Sequence, residues 1–203
     1  GSFTPGTLMI ERDYLISVFL DLMRTTPQLM KELLLELGDT LSVKKRLAHE
    51  FNDEVVKEVI RLIEPANADF IINYSEVTIK IQEDKSIVKA EGAVFKKVLW
   101  EFILTFLFAE RGSVFNKRMF LESNIRQMAK HYNIEFNALL SFLAQGITEE
   151  LSVISDNSSL FYMLIDILKE TNNSYKHNGI DVLTETQKNG VKDAEKNNAV
   201  KSL

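Results

Sequence analysis

The side chains that most often carry chemistry are sparse here and set far apart. The three histidines are His49, His131 and His177, and none stands in the His-x-x-x-His spacing that puts two metal ligands on one helical face. The chain has no cysteine, which removes disulfides, thiolate zinc sites and cysteine nucleophiles together and is compatible with an intracellular compartment. A serine nucleophile would want a Gly-x-Ser-x-Gly elbow, and none is present. Gly112, Ser113 and Val114 offer a single glycine before a helix, whereas a phosphate cradle needs several converging backbone N–H groups. The neighbouring acids Glu83 with Asp84, and Glu149 with Glu150, point in different directions on a helix and read as solvated.

Two single residues stand out. Glu101 lies between Trp100 and Phe102 in an apolar run, where an unpaired carboxylate is costly, and Lys97 four residues earlier is its expected partner. The sharper alternative is a buried acid or an interface contact. His131 falls in the last turn of a helix, where an imidazolium suits the negative end of the dipole. Lys44, Lys45 and Arg46, and likewise Lys117 and Arg118, lack the interleaved aromatics of a strand-binding groove and read as solvated faces. With 24 basic against 29 acidic residues, the net charge of -5 gives no broad attraction to nucleic acid or anionic membrane.

The elements that must position these residues read as short helices. Leu15, Phe19 and Leu22 recur at helical spacing, and Thr26 is suited to cap a second helix with Pro27 at its first position. Leu29, Met30, Leu33, Leu34 and Leu37 form its stripe, with Gly38 placed to end it in the left-handed conformation. Ser42 is expected to cap a brief helix through Leu47 and His49. Asn52 is expected to cap the next, with Asp53 and Glu54 in its first turn, a stripe of Val55, Val56, Val59, Ile60 and Ile63, and Pro65 at its end, suited also to begin the helix after it.

From Phe70 to Ile87 two periods compete. Ile71, Ile72, Ser75 and Ile79 suit a helix, while Val77, Ile79 and Ile81 alternate as in a strand. The helix is preferred, with a short strand near 77–82 as the alternative. After a polar break at 83–92, the run Val94 to Glu110 is apolar on nearly every face and is expected at the centre. It carries Lys96, Lys97 and Glu101 and falls short of the roughly 20 apolar residues that span a bilayer. Phe95, Trp100, Phe102, Phe106 and Phe108 read first as core, and any surplus of exposed rings would mark a protein interface.

Phe115, Asn116 and Phe120 fit a hydrophobic staple around an asparagine cap, opening a helix to Tyr132 whose face is Leu121, Ile125, Met128 and Tyr132. Asn133 breaks it. Phe136, Leu139, Leu140 and Leu143 then form the second arm of a hairpin, with Gly146 as its stop. A last helix is expected at 159–170. The fold class is therefore mainly α, either a helical bundle or an irregular α-solenoid. Residues 1–7 are read as a tag scar and disordered start, 8–170 as the helical domain and 171–203 as a polar, loosely ordered tail. Helices 27–37, 53–63 and 136–145 are alike in length and punctuation, a hint of degenerate repeats.

The run Leu99-Trp100-Glu101-Phe102-Ile103-Leu104-Thr105-Phe106-Leu107, followed by Arg111-Gly112-Ser113-Val114-Phe115-Asn116-Lys117-Arg118, resembles the tape-measure proteins of bacterial contractile injection systems. Gln127, His131, Tyr132, Asn133 and Leu139 continue the likeness. Arg46, Leu47, Leu62, Ile63, Pro65, Ala66, Ala68 and Phe70 extend it upstream, so that it covers about residues 26 to 145. The alternation at 77–81 and the polar break before Gly92 depart from the family's more continuously leucine-rich helices.

The resemblance implies a fragment of a longer, non-catalytic protein that sets tube and sheath length during assembly. It further implies tail tube or baseplate proteins as partners, self-association as an option, and a cytoplasmic location during assembly or a place inside the particle. It brings no catalytic residue, cofactor or metal. The candidate structural or interface residues are Trp100, Glu101, Phe102, Phe106, Phe115, Asn116, Phe120 and Tyr132. The alternatives are a helical-repeat adaptor and, behind it, a hydrolase using Glu101 or His131.

Overall fold

The computed structural model describes the backbone of residues 5–110, 112–150 and 159–171, and side chains within them from residue 13 onward, those of 149 and 150 excepted. The expectations for residues 1–4 and 172–203, His177 included, lie outside the described residues. The described chain forms nine helices and no strand: α1 Pro5–Thr25, α2 Pro27–Leu37, α3 Leu41–Glu50, α4 Asp53–Ile63, α5 Ala68–Lys85, α6 Gly92–Ala109, α7 Lys117–His131, α8 Phe136–Glu150 and α9 at 159–171.

The apolar run expected at the centre is there. Helix α6 packs against α3, α4, α5 and α7, and Phe95, Leu99, Trp100, Ile103, Leu104 and Phe108 are fully enclosed. Contacts also join α1 to α4 and α5 to α8. Helices far apart in sequence thus share one core, the mark of a bundle rather than of a solenoid in which each unit meets only its neighbours.

The strand alternative at 77–82 does not form, because α5 is surrounded. Ile71, Tyr74, Ser75, Thr78, Ile81 and Gln82 are all buried where it meets α4, α6 and α8, so the two-residue alternation is incidental to a wide buried arc. Ser86 ends α5 in the left-handed conformation at φ 50°. The polar break that follows is tied down by Gln82. Its amide Nε2 donates to the carbonyls of Val88 (2.9 Å) and Ala90 (3.2 Å), and its Oε1 accepts from the Val88 N–H (3.0 Å). Replacing Gln82 with alanine leaves the buried Val88 N–H without a partner and takes a bond from the part-buried Ala90 carbonyl, while the Val88 carbonyl keeps the Ala90 N–H at 2.9 Å; an unsatisfied buried group costs about 1–3 kcal/mol. We expect Gln82→Ala to lower unfolding stability by about 2 kcal/mol in urea titration, with Gln82→Glu recovering only the bond from the Val88 N–H.

The caps divide into those that form and those that do not. Asn52 Oδ1 accepts from the Val55 N–H at 3.1 Å and Asn116 Oδ1 from the Met119 N–H at 3.0 Å, as expected. Thr26 makes no side-chain cap; its hydroxyl turns back to the Leu22 carbonyl at 2.9 Å. Ser42 lies inside α3, which starts at Leu41. Pro65 ends α4, but the next helix begins only at Ala68.

Both glycines read as stops act differently. Gly38 follows α2 in right-handed conformation, φ -65°, and any Cβ there would collide with the Phe108 ring and the Leu34 carbonyl. Gly146 lies buried within α8, which runs on to Glu150, and a Cβ would stand 2.7 Å from Ile81 Cδ1. These are points of close helix approach, where the missing side chain matters more than backbone freedom.

Candidate functional site

The eight residues singled out from the sequence lie along α6 and the start and end of α7; six of them gather in two groups, and Phe102 and Tyr132 meet His131 at the end of α7. Around the α6–α7 turn, Phe120 is enclosed by rings: Tyr74 at 5.4 Å between centroids, Phe106 at 5.4 Å, Phe115 at 5.5 Å and Phe70 at 6.3 Å. The Phe115–Phe120 contact is the staple, spanning the Asn116 cap and fixing how the chain turns into α7. Most of these pairs meet edge to face, the arrangement the ring quadrupole favours.

Burial pushes the Tyr74 phenol far above its ordinary range, with Thr78 acting in the opposite and smaller sense. Burial likewise raises Tyr132, whose ring stacks on Phe95 at 6.0 Å and 24°. Phe102 meets the edge of His131 at 5.7 Å. Both phenols therefore stay protonated at neutral pH.

The second group is polar and ties α6 to the α3–α4 corner. Asp53, the first residue of α4, accepts from the Lys96 ammonium at 2.9 Å and from the Trp100 indole Nε1 at 3.2 Å. Its carboxylate also sits at the positive end of the α4 dipole. Beside it, His49 Nε2 lies 3.0 Å from Glu101 Oε2. The partner of Glu101 is thus His49 on α3 rather than Lys97 on its own helix, because α3 crosses α6 at that turn. A shallow groove follows these residues, lined by Phe51, Asn52, Asp53, Lys97 and Trp100.

The basic pair Lys117 and Arg118 stays at the surface, Arg118 with 40% of its side chain exposed, and makes specific contacts there. Lys117 Nζ stands 4.9 Å over the Phe70 ring. Arg118 forks onto Glu170 of α9 through two bonds, Nη1 at 2.9 Å and Nη2 at 2.5 Å, while its Nε bonds Glu122 at 3.0 Å. Those carboxylates, Glu170 before Glu122, hold its pKa above even the usual guanidinium range. On the other side of the hairpin, Arg126 lies 4.2 Å over Phe136.

Asp53 and His49 were not among the candidate residues. The four-residue spacing of Lys96 and Trp100 hinted at a common partner, but nothing local pointed across 43 and 47 positions to Asp53. His49 and Glu101 are separated by 52.

Chemically these groups are engaged with one another. Among the described residues no three His, Cys, Asp or Glu side chains gather as a metal site would need, and no helix is long and apolar enough to cross a membrane. The class that fold and site define is an all-α packing protein whose polar side chains fasten helix to helix. The family model for contractile injection system tape measure proteins matches residues 11–202, and the chain belongs to that family. No curated protein and no solved structure matches it at a significant level.

Proposed function

We propose that this chain is a non-catalytic assembly domain of a longer tape-measure protein, whose extent sets the length of tail tube and sheath. The observation that carries the reading is the family match over residues 11–202. The packing is consistent with it: His49 of α3, Asp53 of α4 and Lys96, Trp100 and Glu101 of α6 bond to one another across the helices. On this reading the partners are tail tube or baseplate proteins, and the chain resides in the cytoplasm during assembly and then within the particle.

The test is to delete helical segments of the parent gene that lie outside this bundle and measure particles by electron microscopy. An extended helix contributes about 1.5 Å per residue, so removing about 20 residues should shorten the tube by roughly 30 Å. Particles of unchanged length would overturn the ruler role. A helical protein-binding adaptor is the second reading, favoured by the exposed leucines of α2. Stable partners that are not injection-system components would support it.

A further inference from the structure

Two charges near the end of the bundle stand at unfavourable poles of their helices. The first turn of α7 holds Lys117 and Arg118 and no acid, although the N-terminus of a helix is its positive pole. The last turn of α9 holds Glu170, at the negative pole. Each charge alone weakens the helix that carries it. Set together, each offsets the misplacement of the other, and the fold sets them together: Arg118 spreads Nη1 and Nη2 over the two oxygens of Glu170 at 2.9 and 2.5 Å.

The rest of α9 is held differently. Leu160, Leu164 and Ile167 recur at helical spacing and are enclosed in the common core, exposed by 1% or less. That row stops at Ile167, and beyond it Lys169 and Glu170 are both exposed. Lys169, the cation that would suit this turn, lies 4.0 Å from Asp166 on its own helix. The last turn is therefore fastened to α7 through charge, and the turns before it through apolar burial.

The guanidinium is also fixed at its other edge. Glu122, one turn along α7, accepts from Arg118 Nε at 3.0 Å, and Arg126, a turn further, lies 3.9 Å from the other Glu122 oxygen. A guanidinium anchored in this way presents its remaining fork already oriented, which is the condition under which a surface pair contributes more than an isolated one.

We propose that α9 is a latch: its apolar row seats it in the bundle, and the Arg118–Glu170 fork, aimed by Glu122, locks its last turn onto the start of α7 in a way that salt releases. The latch stands apart from the ruler role and can fail without it. Arg118 and Glu170 are 40% and 64% exposed, so dissolved ions reach the pair, and the screening length falls from about 10 Å at 0.1 M salt to about 3 Å at 1 M.

The test is site-resolved amide exchange by NMR on the full chain, comparing protection at residues 168–171 with that at Leu164. Raising NaCl from 0.1 to 1 M should lower protection in the last turn by about threefold and leave Leu164 as it was. Arg118→Gln at low salt should lower it by about fivefold, because Glu170 is then left unpaired at the negative pole. Glu170→Gln should lower it by only about twofold, since the misplaced charge goes together with the fork. The double variant should therefore match Glu170→Gln and be better protected than Arg118→Gln alone, and both should lose the salt response. Glu122→Gln should fall between the parent and Arg118→Gln, as befits a positioning residue. A last turn that keeps its protection in Arg118→Gln, single effects that simply multiply in the double variant, or an equal loss at Leu164 would overturn the latch.

Discussion

Replacing Phe120 with alanine should destabilise the chain by about 4 kcal/mol, within the 3–5 kcal/mol seen when a buried phenylalanine is cut to alanine. The ring is fully buried and touches four others, from α5, α6 and the loop before α7. Its loss opens a cavity that those rings cannot close without giving up their edge-to-face contacts, and each pair contributes about 0.5–1.5 kcal/mol beyond area alone. Phe120→Leu keeps most of the volume and should cost about 1–1.5 kcal/mol. Since a domain of ordinary stability has about 5–15 kcal/mol in total, the alanine variant should show a much lower urea midpoint. Trp100, the one tryptophan, is buried at the α4–α6 contact and reports the transition by its fluorescence. Equal midpoints for the alanine and leucine variants would show that the ring cluster is not what holds α7.

Gly38→Ala should also destabilise, by about 2–3 kcal/mol, against the usual sign. At φ -65° an alanine is locally acceptable, and reducing the freedom of the unfolded chain would ordinarily add about 0.4–1 kcal/mol. The methyl group, however, must enter space held by the buried Phe108 ring and the Leu34 carbonyl. Overpacking of this kind costs about 1–3 kcal/mol and sometimes more, and neither a helix carbonyl nor an enclosed ring is free to swing aside. The check is a double-mutant cycle with Phe108→Leu. Removing the ring should make Gly38→Ala less costly by about 1 kcal/mol or more, whereas strict additivity would place the strain elsewhere.

Features that depend on a few adjacent residues were readable from the sequence, because the responsible atoms lie within one turn. The Asn52 and Asn116 caps, the Phe115–Phe120 staple, the stripe of α4 and the Asn133 break at φ 52° are of this kind. The enclosed position of α6 followed from apolar residues on nearly every face. What could not be read depended on which helix lies opposite. Gly38 and Gly146 look like stops until Phe108 and Ile81 are seen against them. Leu29, Leu33 and Leu37 look like core until α2 is found to turn only Met30 and Leu34 inward. The Glu101–His49 pair joins two helices whose crossing no local spacing encodes.

The contact of Gly146 with Ile81 bears on how the protein can change over generations. A larger residue at 146 is tolerable only where position 81 has first become smaller, so the two sites cannot drift independently. The order of the steps also matters: shrinking Ile81 leaves a small cavity, costing about 0.5–1.5 kcal/mol for a step such as Ile to Val, whereas enlarging Gly146 first forces the helices apart. Homologues should therefore divide into lineages by the pair they carry, with α5 and α8 held at one spacing in each.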